Sequence, residues 1–241
     1  MNRLVMIVLR NIARLPGAYV RLCRYARHPE RYEEAETWRH VQKVMTWVVD
    51  TGNVNLLVTG KENIPQDGSF MLYANHQGMF DVVALASTCD RPLGIVYKKE
   101  LKNVPVLKQI LTFTRSFAMD REDVRQSLTV IQNVVKEVQS GRNYVIFPEG
   151  TRSKNGNHMG EFHGGSFRAA SKAKCPIVPV AFIDSFRVLD QKGSATVNVQ
   201  MHYLKPIPYE EYQNLKNTEL AALVKERIAQ TIQKGLAGEQ Q

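Results

Sequence analysis

Short apolar runs alternate with longer amphipathic stretches from residue 54 to the C-terminus. Apolar runs of roughly four to eight residues bounded by turn residues are typical of buried strands, and longer stretches with a 3.6-residue period are typical of helices. Seven runs fit the strand pattern: Val54–Thr59, Phe70–Ala74, Leu93–Tyr97, Ser116–Met119, Tyr144–Phe147, Ile177–Phe182 and Val197–Tyr203. Five stretches fit the helix pattern: Asp81–Ser87, Val106–Thr114, Glu122–Gln139, Phe167–Ala173 and Thr218–Gly235. The alternation predicts an α/β layered domain with a mixed central sheet flanked by helices.

The first residues of the chain follow a different pattern. Between residues 3 and 26, arginines fall on one side of a helix and aliphatic side chains fall on the other. The Pro16-Gly17 pair is expected to kink or interrupt this helix. The arginines are Arg3, Arg10, Arg14, Arg21 and Arg24, and the apolar face includes Val5, Val8, Leu9, Ile12 and Leu15. The pattern predicts a basic amphipathic helix that binds an anionic membrane surface.

A second amphipathic helix is predicted at about Tyr32–Val49. It carries both tryptophans of the chain, Trp38 and Trp47, whose apolar rings and polar N–H groups suit a lipid headgroup interface. The two helices could instead pack on the domain as a cap, with the arginines in solvent. Because the first helix contains no acidic residue, we favour the membrane. We therefore expect membrane-surface helices in residues 1–50 and a catalytic domain with a C-terminal helix in residues 51–241.

Composition and charge limit the classes of protein to which this chain can belong. With 44% hydrophobic and 23% charged residues, the chain has an ordinary globular composition and should fold. The net charge of +9 favours anionic partners, but it concentrates in one helix with an apolar back, so we expect no nucleic-acid partner. No apolar run approaches the roughly 20 residues of a spanning helix. Three scattered cysteines indicate a reducing compartment. We expect a peripheral or monotopic protein on the cytoplasmic face of a membrane.

The first chemical motif is Asn75-His76-Gln77-Gly78-Met79-Phe80-Asp81, directly after a predicted strand. Residues five apart point in different directions on a regular helix, so His76 and Asp81 could not meet there, but they could meet across a strand-to-helix turn. Gly78 permits such a bend. Asp81 in the first helical turn could hold Nδ1–H of His76 and leave Nε2 as a general base for a substrate hydroxyl. A His-Asp pair alone is more often a structural hydrogen bond.

The second motif is Phe147-Pro148-Glu149-Gly150-Thr151-Arg152-Ser153, after another apolar run. Pro148 ends the strand, and Gly150 lets the backbone approach a ligand. Arg152 offers a planar fork suited to bidentate phosphate binding, and Glu149 could orient Arg152 or bind a glycerol hydroxyl. The alternative is a tight turn with a surface arginine.

Taken together, these motifs resemble the 1-acyl-sn-glycerol-3-phosphate acyltransferase family of glycerolipid acyltransferases. The HX4D pair His76 and Asp81, followed by the Phe147–Ser153 block, has the order and separation of that family. Two further blocks agree: Lys99-Glu100-Leu101 with Pro105 and Asp120-Arg121, and Pro176-Ile177-Val178-Pro179-Val180. The resemblance covers residues 54–204. Lys108 and Arg115-Ser116 depart from it, because glycines are common at those places.

The resemblance implies a reaction and a set of roles. A fatty acyl group passes from acyl-CoA or acyl-carrier protein to the sn-2 hydroxyl of lysophosphatidic acid, which gives phosphatidic acid. His76 is then the base and Asp81 its partner. The residues implied to bind the substrate phosphate are Glu149, Gly150, Arg152, Lys99 and Arg121.

The residues themselves favour direct transfer, with no cofactor and no metal. Gly164-Gly165-Ser166-Phe167-Arg168 fails the nucleophile-elbow pattern, and no cysteine has an activating neighbour. His158, Glu161 and His163 lack metal-ligand spacing, so we predict no metal. Other readings stay open: glycerol 3-phosphate or another lysophospholipid as acceptor, hydrolysis, or a non-enzymatic protein that binds anionic membranes.

Overall fold

The computed structural model describes residues 2–120 and 123–238. Its helices and strands follow the predicted alternation, and all seven predicted strands are present within one or two residues of their expected bounds. The strands are β1 (Val54–Thr59), β2 (Met71–Ala74), β3 (Leu93–Lys98), β4 (Phe117–Met119), β5 (Asn143–Ile146), β6 (Ile177–Ile183) and β7 (Val197–Tyr203). The helices are α1 (Arg3–Asn11), α2 (Leu15–Arg27), α3 (Glu34–Thr51), α4 (Phe80–Thr88), α5 (Leu107–Phe113), α6 (Val124–Gln139), α7 (Gly164–Ala173), α8 (Phe186–Leu189), α9 (Tyr209–Tyr212) and α10 (Asn217–Gly238).

The strands form one mixed sheet in the order β1-β7-β6-β2-β5-β3-β4. Strands β6, β2, β5, β3 and β4 are parallel to one another, and β1 is parallel to β7. These two groups meet at the antiparallel pair β6 and β7. The carboxyl ends of β2, β5 and β6 therefore lie side by side at one edge of the sheet, which is where α/β sheets bind ligands. The predicted mixed α/β fold is confirmed.

Helices cover both faces of the sheet, and each face has its own apolar core. Helices α2 to α5 contribute to one core, and α6, α7 and α10 contribute to the other. Strands β2 and β6 are buried along their whole length, which explains why their sequences are continuous apolar runs instead of alternating ones. Among the described residues, the structure contains no helix with the length and apolar character needed to span a bilayer.

The predicted N-terminal helix is interrupted and forms two helices, α1 and α2. The break lies at residues 12–14, and Pro16 sits in the first turn of α2, where its missing N–H is tolerated. The predicted arginine stripe is also divided between two environments. Arg3 is only 4% exposed, and its guanidinium donates to the carbonyls of Gly52 (2.6 Å) and Ala195 (2.8 Å). The expectation that Arg3 faces a membrane is therefore wrong.

Arg10 likewise binds the folded domain. It donates to the Thr51 carbonyl at 2.8 Å and to the Asn53 side chain at 2.7 Å. Thr51 is the last residue of α3, where the helix dipole favours a positive charge. Arg10 thus fastens α1 to the end of α3.

The two tryptophans have different surroundings. Trp38 is 4% exposed in the core, and its indole N–H donates to the Cys89 carbonyl at 2.9 Å, so its predicted headgroup position is wrong. Trp47 is half-buried beneath the guanidinium of Arg14, 5.4 Å from the ring centre. Helix α3 packs as a cap on the domain, as the alternative interpretation expected.

Arg115 stands where a glycine was expected, and its backbone conformation is one that favours glycine. Its φ of 51° lies in the left-handed region, which costs a side-chain-bearing residue about 1–2 kcal/mol. The strained backbone is held by the Tyr144 hydroxyl, which donates to the Arg115 carbonyl at 2.6 Å.

Candidate active site

His76 and Asp81 meet at the carboxyl end of β2, as their spacing predicts. Strand β2 ends at Ala74 and α4 begins at Phe80, so the turn between them brings the two side chains together. Nδ1 of His76 lies 2.8 Å from Oδ2 of Asp81. Because a carboxylate only accepts hydrogen bonds, the neutral imidazole in this arrangement carries its proton on Nδ1 and has its lone pair on Nε2. The imidazole is 16% exposed and stacks on Phe147, with 4.1 Å between ring centres.

Asp81 is fully buried, and donors surround its carboxylate. Oδ2 accepts the backbone N–H groups of Gln77 (2.7 Å) and Gly78 (3.0 Å) in addition to the imidazole. Oδ1 accepts the hydroxyl of Ser185. Four donors to one carboxylate fix its orientation. The pair is therefore pre-organised to hold an imidazolium as it forms.

Sequence reasoning missed the group that supports this pair from β6. Ser185 follows the end of β6, is fully buried, and donates to Asp81. Its backbone N–H donates to Oε1 of Gln77 at 3.0 Å, and the Gln77 amide donates to Asn157 at 2.8 Å. No local pattern marks Ser185, because it is brought to Asp81 by the β2–β6 pairing alone.

Glu149, in the second motif, links that motif to the first. Oε1 accepts the backbone N–H of His76 at 2.7 Å, and Oε2 accepts the backbone N–H of Gly160 at 2.7 Å. The side chain is 5% exposed, and burial raises the pKa of its carboxyl. Glu149 does not orient Arg152, contrary to one of our expectations; it fastens the loop after β5 to the backbone of the base.

Arg152 extends from that loop toward solvent, with its side chain 48% exposed. Its guanidinium pairs with the carboxylate of Asp190, a residue that the sequence did not single out. Gly150 has a φ of 69°, which an L residue adopts only with strain, so the turn requires glycine here. The backbone N–H of Ser153 donates to the His76 carbonyl at 2.7 Å and closes the loop against the base.

Lys99 and Arg121 are the other two residues implied to bind the substrate phosphate. Lys99 follows β3, two strand spacings or roughly 10 Å from β2, and its ammonium is 2.5 Å from Asp120. Arg121 lies outside the described residues. The structure thus brings together His76, Asp81 and the Glu149–Arg152 loop, and places Lys99 on the flank.

The buried cysteines are unsuited to nucleophilic catalysis. Burial raises the pKa of the Cys89 and Cys175 thiols to about 12, so both stay protonated near neutral pH. His76 is thus the group that the geometry equips to activate an incoming hydroxyl.

Comparisons with known proteins show which proteins this chain resembles. The chain is 32% identical to the 1-acyl-sn-glycerol-3-phosphate acyltransferase of Salmonella typhimurium over 170 residues, 68% of each chain. It is 27% identical to the Saccharomyces cerevisiae enzyme of the same name over 213 residues, 85% of this chain and 67% of the relative. The crystal structure of the 1-acyl-sn-glycerophosphate (LPA) acyltransferase, PlsC, from Thermotoga maritima superimposes with a TM-score of 0.67. That match is 19% identical, covers 94% of this chain and 97% of the other, and shows a shared fold.

The sequence profile of the Acyltransferase family matches residues 55–183, more than half of the chain. This region contains the His76 and Asp81 pair and the Glu149–Arg152 loop. The chain therefore belongs to the acyltransferase family, and the protein is an acyltransferase.

Proposed function

We propose that this acyltransferase moves a fatty acyl group from acyl-CoA or acyl-carrier protein to the sn-2 hydroxyl of 1-acyl-sn-glycerol-3-phosphate. The product is phosphatidic acid. One arrangement carries the proposal. The buried Asp81 carboxylate binds Nδ1 of His76, so Nε2 does not contact Asp81. The adjacent loop presents Arg152 to solvent. The names of several relatives point to the same acceptor.

The chemistry needs one base. Nε2 of His76 takes the proton of the acceptor hydroxyl, and that oxygen attacks the thioester carbonyl carbon. The carbon–sulfur bond then breaks, and the thiolate takes the proton from the imidazolium. Because the parent thiol has a pKa of about 8.5, the leaving group needs little acid assistance. Asp81 stabilises the imidazolium between these steps, as the partner carboxylate does in other His-dependent acyl transfers.

Arg152 is our proposed ligand for the acceptor phosphate. It lies on the loop that Glu149 and Ser153 fasten to His76, so a phosphate held there is kept at a defined distance from the base. A planar guanidinium binds phosphate through two parallel N–H groups, whereas an ammonium acts as a point charge. Lys99 would add positive charge on the flank.

A membrane contact is our proposal for the exposed apolar surface. Most of the exposed large apolar side chains of the described residues lie in two segments. They are Leu4, Val5, Val8, Leu9, Ile12, Tyr19 and Val20 in the first, and Leu101, Val104 and Val106 in the second. Helix α2 packs against α5, and the Gln109 amide donates to the Tyr19 hydroxyl at 3.5 Å, so the segments adjoin. Apolar side chains flanked by Lys102, Lys108, Arg21 and Arg24 suit an anionic bilayer.

An acyl-transfer assay with purified protein tests the proposed reaction. Acyl-CoA and acyl-carrier protein are each offered with lysophosphatidic acid, glycerol 3-phosphate, lysophosphatidylcholine or no acceptor, and products are separated by chromatography. We expect phosphatidic acid from lysophosphatidic acid, with little free fatty acid. Transfer only to glycerol 3-phosphate or to lysophosphatidylcholine would replace the proposed acceptor. Acceptor-independent release of fatty acid would indicate hydrolysis.

A further inference from the structure

Asp190, at the end of α8, connects the two halves of the candidate active site. One carboxylate oxygen, Oδ1, accepts the guanidinium of Arg152. The other, Oδ2, accepts the backbone N–H of Met79 at 2.9 Å, within the turn that carries His76. A single side chain thus contacts both the proposed phosphate ligand and the loop of the base. Neither sequence motif contains it.

Gly78 shows that this contact is built into the turn. Its φ is not in the left-handed region, so the turn does not depend on the backbone freedom of glycine at this position. A Cβ at Gly78 would instead lie 2.5 Å from Oδ2 of Asp190 and 3.0 Å from the Cα of Phe186. Real Cβ atoms essentially never show the first distance, and the second is at the tight limit of real Cβ contacts. A side chain at residue 78 would therefore displace Asp190 or α8, so their close approach favours glycine here.

The contact leaves the rest of the Arg152 fork available. Within the described residues, Asp190 is the hydrogen-bond partner that the structure gives Arg152, and it uses one terminal nitrogen. The guanidinium has five N–H groups, so the other terminal nitrogen and Nε can still bind a phosphate side by side. A long side chain that is 48% exposed has many rotamers when it is unbound. The carboxylate selects among them.

We propose that Asp190 is a positioning residue of the acceptor site. It aims the Arg152 guanidinium at the acceptor phosphate and fixes that guanidinium relative to His76 through the Met79 N–H. The inference rests on the proposed function, since it assumes that Arg152 binds the acceptor. Asp190 acts through Arg152, so loss of the Asp190 carboxylate changes acceptor binding more than donor binding.

Asp190→Asn separates this role from a purely structural one. The amide oxygen can still accept the Met79 N–H, but it no longer offers a charged partner to Arg152. We expect the KM for lysophosphatidic acid to rise about tenfold, with the donor KM unchanged and kcat within about threefold of wild type. Glu161→Gln is the matched control, because it removes a carboxylate that pairs with Lys225 outside the site. It should leave both KM values unchanged.

A double-substitution cycle identifies the route of the effect. Arg152→Lys alone should raise the acceptor KM, and adding Asp190→Asn to it should raise that KM little further, because Asp190 acts through Arg152. If Arg152→Lys raises the acceptor KM but Asp190→Asn does not, only the role of Asp190 is overturned. If the two substitutions raise the acceptor KM independently of each other, the role of Asp190 is overturned as well. If Arg152→Lys leaves the acceptor KM unchanged, the proposed phosphate ligand and this inference are both overturned.

Discussion

Ser185→Ala tests whether a buried hydroxyl stabilises the carboxylate of Asp81. Ser185 is fully buried and supplies the donor to Oδ1 of Asp81, whereas Oδ2 has three other donors. Alanine would therefore leave one oxygen of a fully buried carboxylate without that donor. Hydrogen bonds to charged groups contribute about 1.5–3 kcal/mol. We expect the free energy of unfolding to fall by about 2 kcal/mol, and the Tm by about 4–8 °C.

The same substitution should lower kcat. The imidazolium of His76 forms beside Asp81 during transfer, so a less well held carboxylate stabilises the transition state less. If the transition state lost the whole of that roughly 2 kcal/mol of stabilisation, kcat would fall about thirtyfold. Because three donors still hold Oδ2, we expect a fall of about tenfold. Asp81→Asn, which removes the charge, should cost more.

Urea unfolding and steady-state kinetics on the same preparations measure both effects. Ser171→Ala is the control, because it removes a partly buried hydroxyl that donates to a neutral acceptor, Oδ1 of Asn217, at 3.0 Å. It should cost about 1 kcal/mol of unfolding free energy and leave kcat unchanged. If Ser185→Ala lowered stability no more than this control and kept wild-type kcat, the reasoning about Asp81 would be refuted.

Four further outcomes follow from the site and the surface. His76→Ala should fold, by circular dichroism, yet lose about 10²–10⁴-fold in kcat, since it removes the base; retention of turnover would exclude the mechanism. Glu149→Gln should lower the free energy of unfolding by about 1–3 kcal/mol, because its NH2 group must face the N–H of either His76 or Gly160; an unchanged urea midpoint would contradict this. Intact-protein mass spectrometry during turnover should show no acylated cysteine, and a stoichiometric adduct would establish a two-step route. Leu9→Asp should weaken binding to anionic liposomes, measured by co-sedimentation, at least tenfold, because about 1.5–3 kcal/mol of leucine burial is lost. Leu128→Asp, on the exposed face of α6, should not weaken it. Equal effects of the two substitutions would remove α1 from the proposed contact.

The sequence determined the elements of this fold because their signals are local. Strands β2 and β6 are continuous apolar runs since both faces of each are covered, and turn residues mark their ends. The meeting of His76 with Asp81 was also predictable, because the two residues follow a predicted strand directly and a strand-to-helix turn can bring residues five apart together. The family likewise followed from short motifs read along the chain.

The sequence could not predict the N-terminal contacts from amphipathic pattern alone. A helix with arginines on one side has the same pattern whether those arginines meet lipid phosphates or backbone carbonyls. The structure decided between them for Arg3 and Arg10, which bind the carbonyls at the end of α3. Trp38 was misassigned for the same reason, since an indole suits a buried hydrogen bond as well as a headgroup interface.

Only the tertiary structure selected the partners of the motif residues. Ser185 is 104 residues from Asp81 along the chain, and Asp190 is 111 residues from Met79. Nothing local distinguishes these two side chains from the other serines and aspartates of the chain. They reach the site because β6 pairs with β2 and α8 follows β6 at the same edge of the sheet. Local sequence thus fixed which residues could do the chemistry, and the long-range pairing of strands decided which others hold them in place.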